Sequence, residues 1–111
     1  NLLANAAEAS PRGSLVRVLA RRAGEVTSIF VVDEGPGVPR RHRDAIFEAF
    51  HTTKAAGMGL GLSIAREMAR RHGGELALLD APPPELDPAP VGACFELRLP
   101  ASLRATLFPP A

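Results

Sequence analysis

Three glycines, Gly57, Gly59 and Gly61, stand at alternate positions where the clearest predicted helix of the chain opens. Glycines in front of a helix leave backbone N–H groups uncovered where the helix dipole is positive, and such groups bind anions, most naturally phosphates. A lone glycine pattern of this kind more often marks only a flexible entry into a helix. It is not a dinucleotide fingerprint because no strand runs directly into it. It is not a P-loop because Lys54 precedes the glycines.

Polar residues in two other segments could act on the same ligand. Thr52, Thr53 and Lys54 add two hydroxyls and the only lysine of the chain just before the glycines, which strengthens the phosphate interpretation. Asp33 follows an apolar predicted strand and precedes Gly35. A solvent-reachable carboxylate there can accept a hydrogen bond from an exocyclic amine, and glycine lets a flat ring approach the backbone. An isolated segment of this type is more often an ordinary turn.

Two asparagines, Asn1 and Asn5, lie one helical turn apart on the polar stripe of a predicted N-terminal helix. An amide oxygen at such a position can ligate a hard cation that also carries phosphate oxygens and water. Asparagines on a helix surface seldom have this role when taken singly. The metal interpretation therefore depends on the other segments.

The elements that must position these residues follow from the hydrophobic spacing. Helices are predicted over residues 1–10 and 59–72, and strands over 14–22, 25–33, 75–80 and 93–99. Residues 29–32 are apolar on both faces, which predicts a central strand. On the second helix, the apolar stripe consists of Leu60, Ile64 and Met68, with Ala65 and Ala69 beside it. The order α-β-β-α-β-β predicts an α/β sandwich in which helices cover one face of a largely antiparallel sheet.

Turn residues and one alternating strand complete the predicted fold. Ala23–Gly24 suits a tight hairpin between the first two strands. Residues 81–90 contain five prolines, which exclude a helix or strand interior and predict a surface loop. In the last strand, alternation predicts that Phe95 and its odd-numbered neighbours face inward and that Glu96 faces outward, while Cys94 is expected to be a buried small hydrophobe.

The composition excludes several functional classes. The 111 residues fit one domain, and 46% apolar with 23% charged residues is ordinary for a globular protein. Apolar runs are too short to span a bilayer and no signal-peptide pattern opens the chain, which predicts that this segment is not secreted and makes no membrane contact, whether or not the full-length protein is anchored in a membrane. The balance of 13 basic against 12 acidic residues argues against a nucleic-acid partner. A single cysteine excludes an internal disulfide and a multi-cysteine metal site.

Taken together, the segments resemble the catalytic ATP-binding domain of bacterial sensor histidine kinases, which has the Bergerat or GHKL fold. Residues 1–6 (NLLANA) resemble the N box, 33–39 (DEGPGVP) the G1 box, 46–50 (IFEAF) the F box, and 52–63 (TTKAAGMGLGLS) the ATP lid and G2 box. The boxes occur in the family's order. The resemblance assigns 1–100 to the domain and 101–111 to a C-terminal tail. It implies a two-layer α/β sandwich, a mixed sheet and helices on one face.

The resemblance also implies a role for each candidate residue in binding Mg-ATP. Asn5 would ligate Mg²⁺ with support from Asn1, and Asp33 would bind the adenine amino group. Gly35 and Gly37 would shape the base pocket. The residues implied to contact phosphates are Thr53, Lys54, Gly57, Gly59, Leu60 and Gly61.

Asn5 and Lys54 are the implied catalytic residues, and Phe47 and Phe50 are expected to anchor the lid by packing. His51 and Met58 depart from the residue types common at their positions in the family and could alter lid packing.

The implied function is that of a protein histidine kinase module, which presents the γ-phosphate to a histidine on a separate domain. Its implied partners are the dimerisation and phosphoacceptor helical domain of the same kinase, through a homodimer of the full-length protein, and a response regulator downstream. The chain starts at the N box, so the helix and strand that precede this box are expected to be missing. The dimerisation and phosphoacceptor segment is also expected to be missing, so the chain is expected to be inactive in phosphate transfer unless a phosphoacceptor domain is supplied separately.

Three alternatives use the same fold. A GHKL ATPase of the gyrase or chaperone kind is disfavoured because Asn1 stands where those relatives carry a glutamate general base. An anti-sigma-factor serine kinase is disfavoured for the same reason. A degenerate module that only binds a partner is disfavoured by the intact Asn5, Asp33 and Lys54.

Overall fold

The computed structural model describes residues 1–48, 61–86 and 92–100. The two α-helices are α1 (Leu2–Ala9) and α2 (Gly61–Arg71), and the four strands are β1 (Arg17–Ala23), β2 (Val26–Val32), β3 (Glu75–Leu79) and β4 (Cys94–Pro100). Short 3₁₀ helices lie at Arg40–His42, Ala45–Phe47 and Pro84–Leu86. The predicted order of helices and strands is confirmed. Among the described helices, none is long and apolar enough to cross a membrane.

The strands form one sheet in the order β1-β2-β4-β3. The predicted central position of β2 is confirmed, since it pairs with both β1 and β4. All three pairings are antiparallel, so the mixed sheet that the resemblance implies is antiparallel throughout the described strands. The predicted β1–β2 hairpin is also present, with Ala23 paired to Val26. Gly24 has a φ of 60° in the connection between them, a value that favours glycine in two-residue hairpins.

The helical layer packs on one face of the sheet around a buried cluster of Ala69, Leu76, Ala93 and Phe95. The predicted apolar stripe of α2 is wrong, because Ile64 and Met68 are 44% and 53% exposed. The helix turns its alanines toward the sheet instead, so that small side chains let helix and sheet approach closely. On α1, the buried residue is Ala6.

The second face of the sheet is also covered. Phe30, Val32 and Cys94 are buried there, with Leu86 packed against them. The side chain of Arg17 on β1 donates from Nη1 to the carbonyl oxygen of Leu86 at 2.7 Å. The prediction of a surface loop over 81–90 is therefore incomplete, because the described part, 81–86, crosses this face from β3 to β1.

Strand β4 contributes to both layers, which alternation alone did not predict. Phe95 lies in the helix-side cluster, and Cys94 lies in the cluster on the second face. Cys94 is confirmed as a buried small hydrophobe. Burial, with the nearby carboxylates of Glu96 and Asp33, raises the pKa of its thiol to about 11, so the thiolate is not available at neutral pH.

Two consecutive glycines, Gly73 and Gly74, follow the last turn of α2. Gly73 has a φ of 80°, and the N–H groups of Gly73 and Gly74 donate to the carbonyl oxygens of Arg70 and Ala69. These two bonds form a Schellman motif. A side chain on Gly74 would also collide with the carbonyl of Arg98, so the same turn brings the chain directly against β4.

Candidate functional site

Asp33 follows β2 and is only 2% exposed, so it is more deeply buried than the sequence suggests. Its Oδ1 accepts hydrogen bonds from the N–H groups of Gly35 and Ala93, both at 2.9 Å. Its backbone N–H donates to the carbonyl of Ala93 at 3.0 Å, and its carbonyl accepts from Gly92 N–H at 2.7 Å. These bonds fix the carboxylate through one oxygen. The other oxygen, Oδ2, has no hydrogen-bond partner in the described part of the chain and can therefore accept from a ligand.

Three backbone segments meet around this carboxylate, and two glycines make the contact possible. A Cβ on Gly35 would lie 2.5 Å from the carbonyl oxygen of Ala9, at the end of α1. A Cβ on Gly92 would come closer than 3.0 Å to both Asp33 Oδ1 and the backbone of Gly35. The end of α1, the loop after β2 and the entry to β4 therefore stack at distances that only glycine permits. Gly37 is required for its conformation, since its φ is 76°.

The end of α1 is tied to the same loop by hydrogen bonds. Glu34 donates from its N–H to Ser10 Oγ at 3.4 Å, and its Oε2 accepts from Leu15 N–H at 3.3 Å. The orientation of α1 relative to Asp33 is therefore set by polar contacts as well as by packing.

Asn5 lies on α1 as predicted, whereas Asn1 is the residue just before the helix. Asn5 is half-buried and donates from its backbone N–H to the carbonyl of Asn1 at 3.0 Å. Asn1 precedes the helix and makes no side-chain capping bond. Its Oδ1 lies 3.9 Å from the position that a Cβ on Gly61 would take. The structure thus brings the asparagine helix beside the first residue of α2, which in the sequence is the last of the three glycines.

A pocket of about 260 Å³ lies beside the backbone of Gly92 and Ala93, two residues that contact Asp33. Its walls are the loop after β2, the end of β3 and the entry to β4. The lining residues are Pro36, Gly37, Val38, Pro39, Arg43, Leu78, Leu79, Asp80, Ala81, Gly92, Ala93 and Cys94. An ion pair between Arg43 and Asp80 lies at this pocket. Asp33 and Asn5 do not line it, so the pocket borders the Asp33 site rather than containing its acceptor groups.

The family model described as histidine kinase-, DNA gyrase B- and HSP90-like ATPase matches residues 1–103 of the chain. The chain belongs to this family. It is 42% identical over 89 residues to nitrogen regulation protein NtrY of Azorhizobium caulinodans, covering 74% of this chain and 12% of that protein. It is 40% identical over 105 residues to signal transduction histidine-protein kinase/phosphatase MprB of Mycobacterium sp. (strain KMS), covering 90% of this chain and 20% of that protein.

Solved structures agree with this assignment to the ATPase family. A mycobacterial sensor histidine kinase MprB has a TM-score of 0.76 and 34% identity, covering 89% of this chain and 64% of that one. Full-length ShkA in complex with AMPPNP has a TM-score of 0.70 and 28% identity, covering 89% of this chain and 19% of that one. The two-layer GHKL fold is thereby confirmed. The chain spans only 12% and 20% of the length of the two curated relatives named above.

Of the implied site residues that the structure describes, Asp33 and Gly35 are hydrogen-bonded beside the end of α1, and Gly37 follows them in the same loop. Asn1, one turn before Asn5, lies beside Gly61. The other implied site residues lie outside the described residues, namely Thr53, Lys54, Gly57, Gly59 and Leu60, as do Phe50, His51 and Met58. Their roles stay predictions.

Sequence reasoning missed Gly92 and Ala93, which orient Asp33. The available signal was a glycine and a small residue directly before an alternating strand, but nothing local indicated that this strand entry would lie against the loop after β2.

Proposed function

We propose that the chain is the ATP-binding catalytic module of a two-component sensor histidine kinase. The observation that carries the proposal is the Asp33 carboxylate, which two backbone N–H groups hold by Oδ1 at the end of a strand beside the asparagine helix. The similarity of the chain to NtrY and to MprB, which is named a histidine-protein kinase/phosphatase, supports a kinase over other members of the family.

In this proposal, Asp33 recognises adenine. Oδ2 accepts a hydrogen bond from the exocyclic amine, while the bonds to Oδ1 prevent the carboxylate from rotating away. Gly35 and Gly37 leave room for the flat ring beside the backbone. Guanine has a carbonyl oxygen in place of this amine. That oxygen and Oδ2 are both hydrogen-bond acceptors and would repel each other, so ATP is favoured over GTP.

Magnesium fits the chemistry of the oxygen donors on α1. Asn5 offers an amide oxygen from a half-buried position, and Asn1 stands one turn before it. In the ranges 1–48, 61–86 and 92–100, no group of three or more His, Cys, Asp or Glu side chains could hold a metal ion. A magnesium ion shared between an amide oxygen and phosphate oxygens matches the usual way in which this ion accompanies a nucleotide. When bound, it would neutralise phosphate charge.

The remaining steps depend on positioning. Gly61 is the first residue of α2. The free N–H groups at the N-terminus of that helix would bind the phosphates, because a helix N-terminus attracts anions. Lys54 would add a positive charge to the phosphates, and Asn5 and Lys54 would be the catalytic residues. Phosphoryl transfer needs an aligned acceptor and neutralised charge more than covalent chemistry from the protein. The acceptor is a histidine on the phosphoacceptor helical domain of the same cytoplasmic kinase, which works as a homodimer and passes the phosphate to a response regulator.

Apolar side chains exposed on the helical layer provide a surface for that domain. Leu3 on α1 and Ile64 and Met68 on α2 are all exposed, and α1 and α2 pack against each other. Exposed apolar groups on adjacent helices are a common basis for docking another helix. We place the phosphoacceptor domain on this surface.

A nucleotide titration followed by a transfer assay tests the proposal. Calorimetry with ATP and GTP, each with and without Mg²⁺, should show binding of ATP in preference to GTP and tighter binding with Mg²⁺. The chain should then transfer phosphate to a separately supplied phosphoacceptor domain but not to itself. Steady hydrolysis of ATP without a partner would favour the ATPase alternative, and absence of ATP binding would contradict the proposal.

A further inference from the structure

Arg66 on α2 contacts an aromatic ring and a carboxylate at the same time. Its guanidinium carbon lies 4.3 Å from the centroid of the Phe47 ring. Its Nε donates to Oε1 of Glu75, at the start of β3, at 3.2 Å. One face of the guanidinium therefore lies over the ring while its Nε–H edge is held by the carboxylate, which is an arrangement that lysine cannot reproduce in full.

Phe47 carries this contact into the core. Its ring meets Phe95 in an edge-to-face arrangement, with centroids 6.2 Å apart and planes at 87°. Phe95 belongs to the same buried cluster as Ala93, and the N–H of Ala93 donates to Asp33. A continuous series of contacts thus runs from Arg66 through two aromatic rings to the backbone that orients the carboxylate.

Phe47 depends on such support because of its local structure. It lies in Ala45–Phe47, a 3₁₀ helix of three residues, which is too short to fix its own position by internal hydrogen bonds. Its place on the core is set by packing against α2 and by the Arg66 guanidinium. A cation held over a partly buried ring contributes to this packing in a directional way.

We propose that Arg66 is a positioning residue for the base-binding carboxylate. By holding Phe47 on Phe95, it keeps the start of β4 in the place where Ala93 can orient Asp33. This inference rests on the proposed function, because it concerns recognition of adenine by Asp33. It assigns Arg66 no contact with the nucleotide.

Arg70 provides a matched control on the same helix. Its Nε donates to both carboxylate oxygens of Glu75, at 3.2 and 3.1 Å, so it shares the ion-pair partner of Arg66. Among the described residues, the rings stacked under a guanidinium are Phe30, under Arg21, and Phe47, under Arg66. Arg70→Met therefore removes an ion pair with Glu75 while it leaves the Phe47 stack in place.

The test compares ATP with a triphosphate whose purine lacks the 6-amino group, by calorimetry in Mg²⁺ on the 111-residue chain. For Arg66→Met, affinity for ATP should fall roughly three- to ten-fold, the size set by one partly desolvated cation–π contact. Affinity for the amine-free nucleotide should change little, so discrimination between the two is reduced. Arg70→Met should retain the parent's discrimination. Arg66→Lys, which keeps a cation over the ring, should give an intermediate value.

A general loss of structure would weaken both nucleotides equally, and that result for Arg66→Met would overturn the inference. Equal discrimination by parent and Arg66→Met would also overturn it, while leaving the proposed function intact. A parent that binds neither nucleotide would overturn the proposed function and the inference together. If Arg66→Met does not fold, the test is made on Arg66→Lys. An Arg66→Lys protein that has the parent's thermal midpoint and the parent's discrimination between the two nucleotides would contradict the proposal.

Discussion

The N–H of Ala93 donates to Oδ1 of Asp33 at 2.9 Å although the two residues are 60 positions apart in the sequence. This hydrogen bond lies beside the backbone bond from Asp33 N–H to the Ala93 carbonyl, which continues the β2–β4 pairing by one residue beyond the strands. The carboxylate that we assign to adenine recognition therefore gains its second backbone donor only when β4 has paired with β2.

Asp33→Asn should weaken ATP binding by about ten-fold or more, the scale of one charge-assisted hydrogen bond. The asparagine oxygen can still accept from Gly35 and Ala93, so the thermal midpoint of the free protein should stay close to the parent's. The amide group that replaces Oδ2 donates and cannot accept from the adenine amine. Calorimetry and thermal unfolding of both proteins measure the two effects. Equal ATP affinity in mutant and parent would refute the role of Asp33.

Gly92→Ala should destabilise the fold by roughly 1–3 kcal/mol, as overpacking does, and should weaken ATP binding. The added Cβ would collide with Asp33 Oδ1 and with the backbone of Gly35. Gly13→Ala is the control, because Gly13 has a φ of 85° with open space around it, so it should cost about 1 kcal/mol in backbone strain without altering ATP affinity. Denaturant unfolding and nucleotide titration separate the two variants. Undisturbed ATP binding by Gly92→Ala would contradict the close approach.

Asn5→Ala should reduce the magnesium-dependent part of ATP binding more than the magnesium-free part. The reason is that the amide oxygen is assigned to the ion and not to the base. Titrations with ATP in Mg²⁺ and in a chelator give the two contributions. A parallel loss in both conditions would mean that Asn5 supports the helix or the pocket instead.

Glu75 should make the fold sensitive to acid. Burial raises the pKa of its carboxyl, but hydrogen bonds from Leu76 N–H, Arg66 and Arg70 outweigh burial and hold the pKa below its ordinary value of 4.5. A lowered native pKa means that Glu75 stabilises the fold above pH 4.5 and that this contribution is lost as pH falls through the native pKa. The free energy of unfolding should therefore fall less steeply below pH 5 in Glu75→Gln than in the parent.

The matched control for this pH dependence is Glu67→Gln. Glu67 pairs with Arg71 at 3.0 Å, but both side chains are largely exposed, and exposed pairs contribute about 0–1 kcal/mol. This variant should follow the parent's acid profile. If Glu75→Gln also follows it, the ion pairs at the start of β3 do not stabilise the fold.

Met68→Glu should slow phosphate transfer to a separately supplied phosphoacceptor domain and leave ATP affinity unchanged. A charge in an apolar contact must be desolvated without a partner when the helices dock. Val18→Glu on β1 is the control, since Val18 is as exposed as Met68 but lies outside α1 and α2. Transfer rates and nucleotide titrations should distinguish the two positions. Similar rates for both variants would exclude the α1–α2 surface as the docking site.

The elements of the fold could be predicted from sequence because each is determined locally. Gly73 and Gly74 end α2 through bonds within two turns, and residues 29–32 are apolar on both faces because β2 is covered on both. The rotation of α2 could not be predicted in this way. Its alanines and its larger apolar residues form adjacent stripes, and the choice between them depends on how closely the helix approaches the sheet.

The candidate site divides in the same way. Asp33 and Gly35 could be identified because their segment has a recognisable composition after an apolar strand. Gly92 could not, because its requirement for glycine comes from atoms of Asp33 and Gly35 that only the folded chain brings near. The covering of the second face was missed for a related reason, since prolines exclude regular structure without indicating where a segment packs.

The closed second face gives this chain an internal reporter of its own opening. Cys94 is 1% exposed beneath Leu86, and it is the only cysteine of the sequence. A thiol reagent can therefore reach Cys94 only when a local opening exposes the sulfur. The labelling rate becomes a clock for that local fluctuation, and a nucleotide held by Asp33, one residue beyond Cys94's partner Val32, should slow it without touching the sulfur.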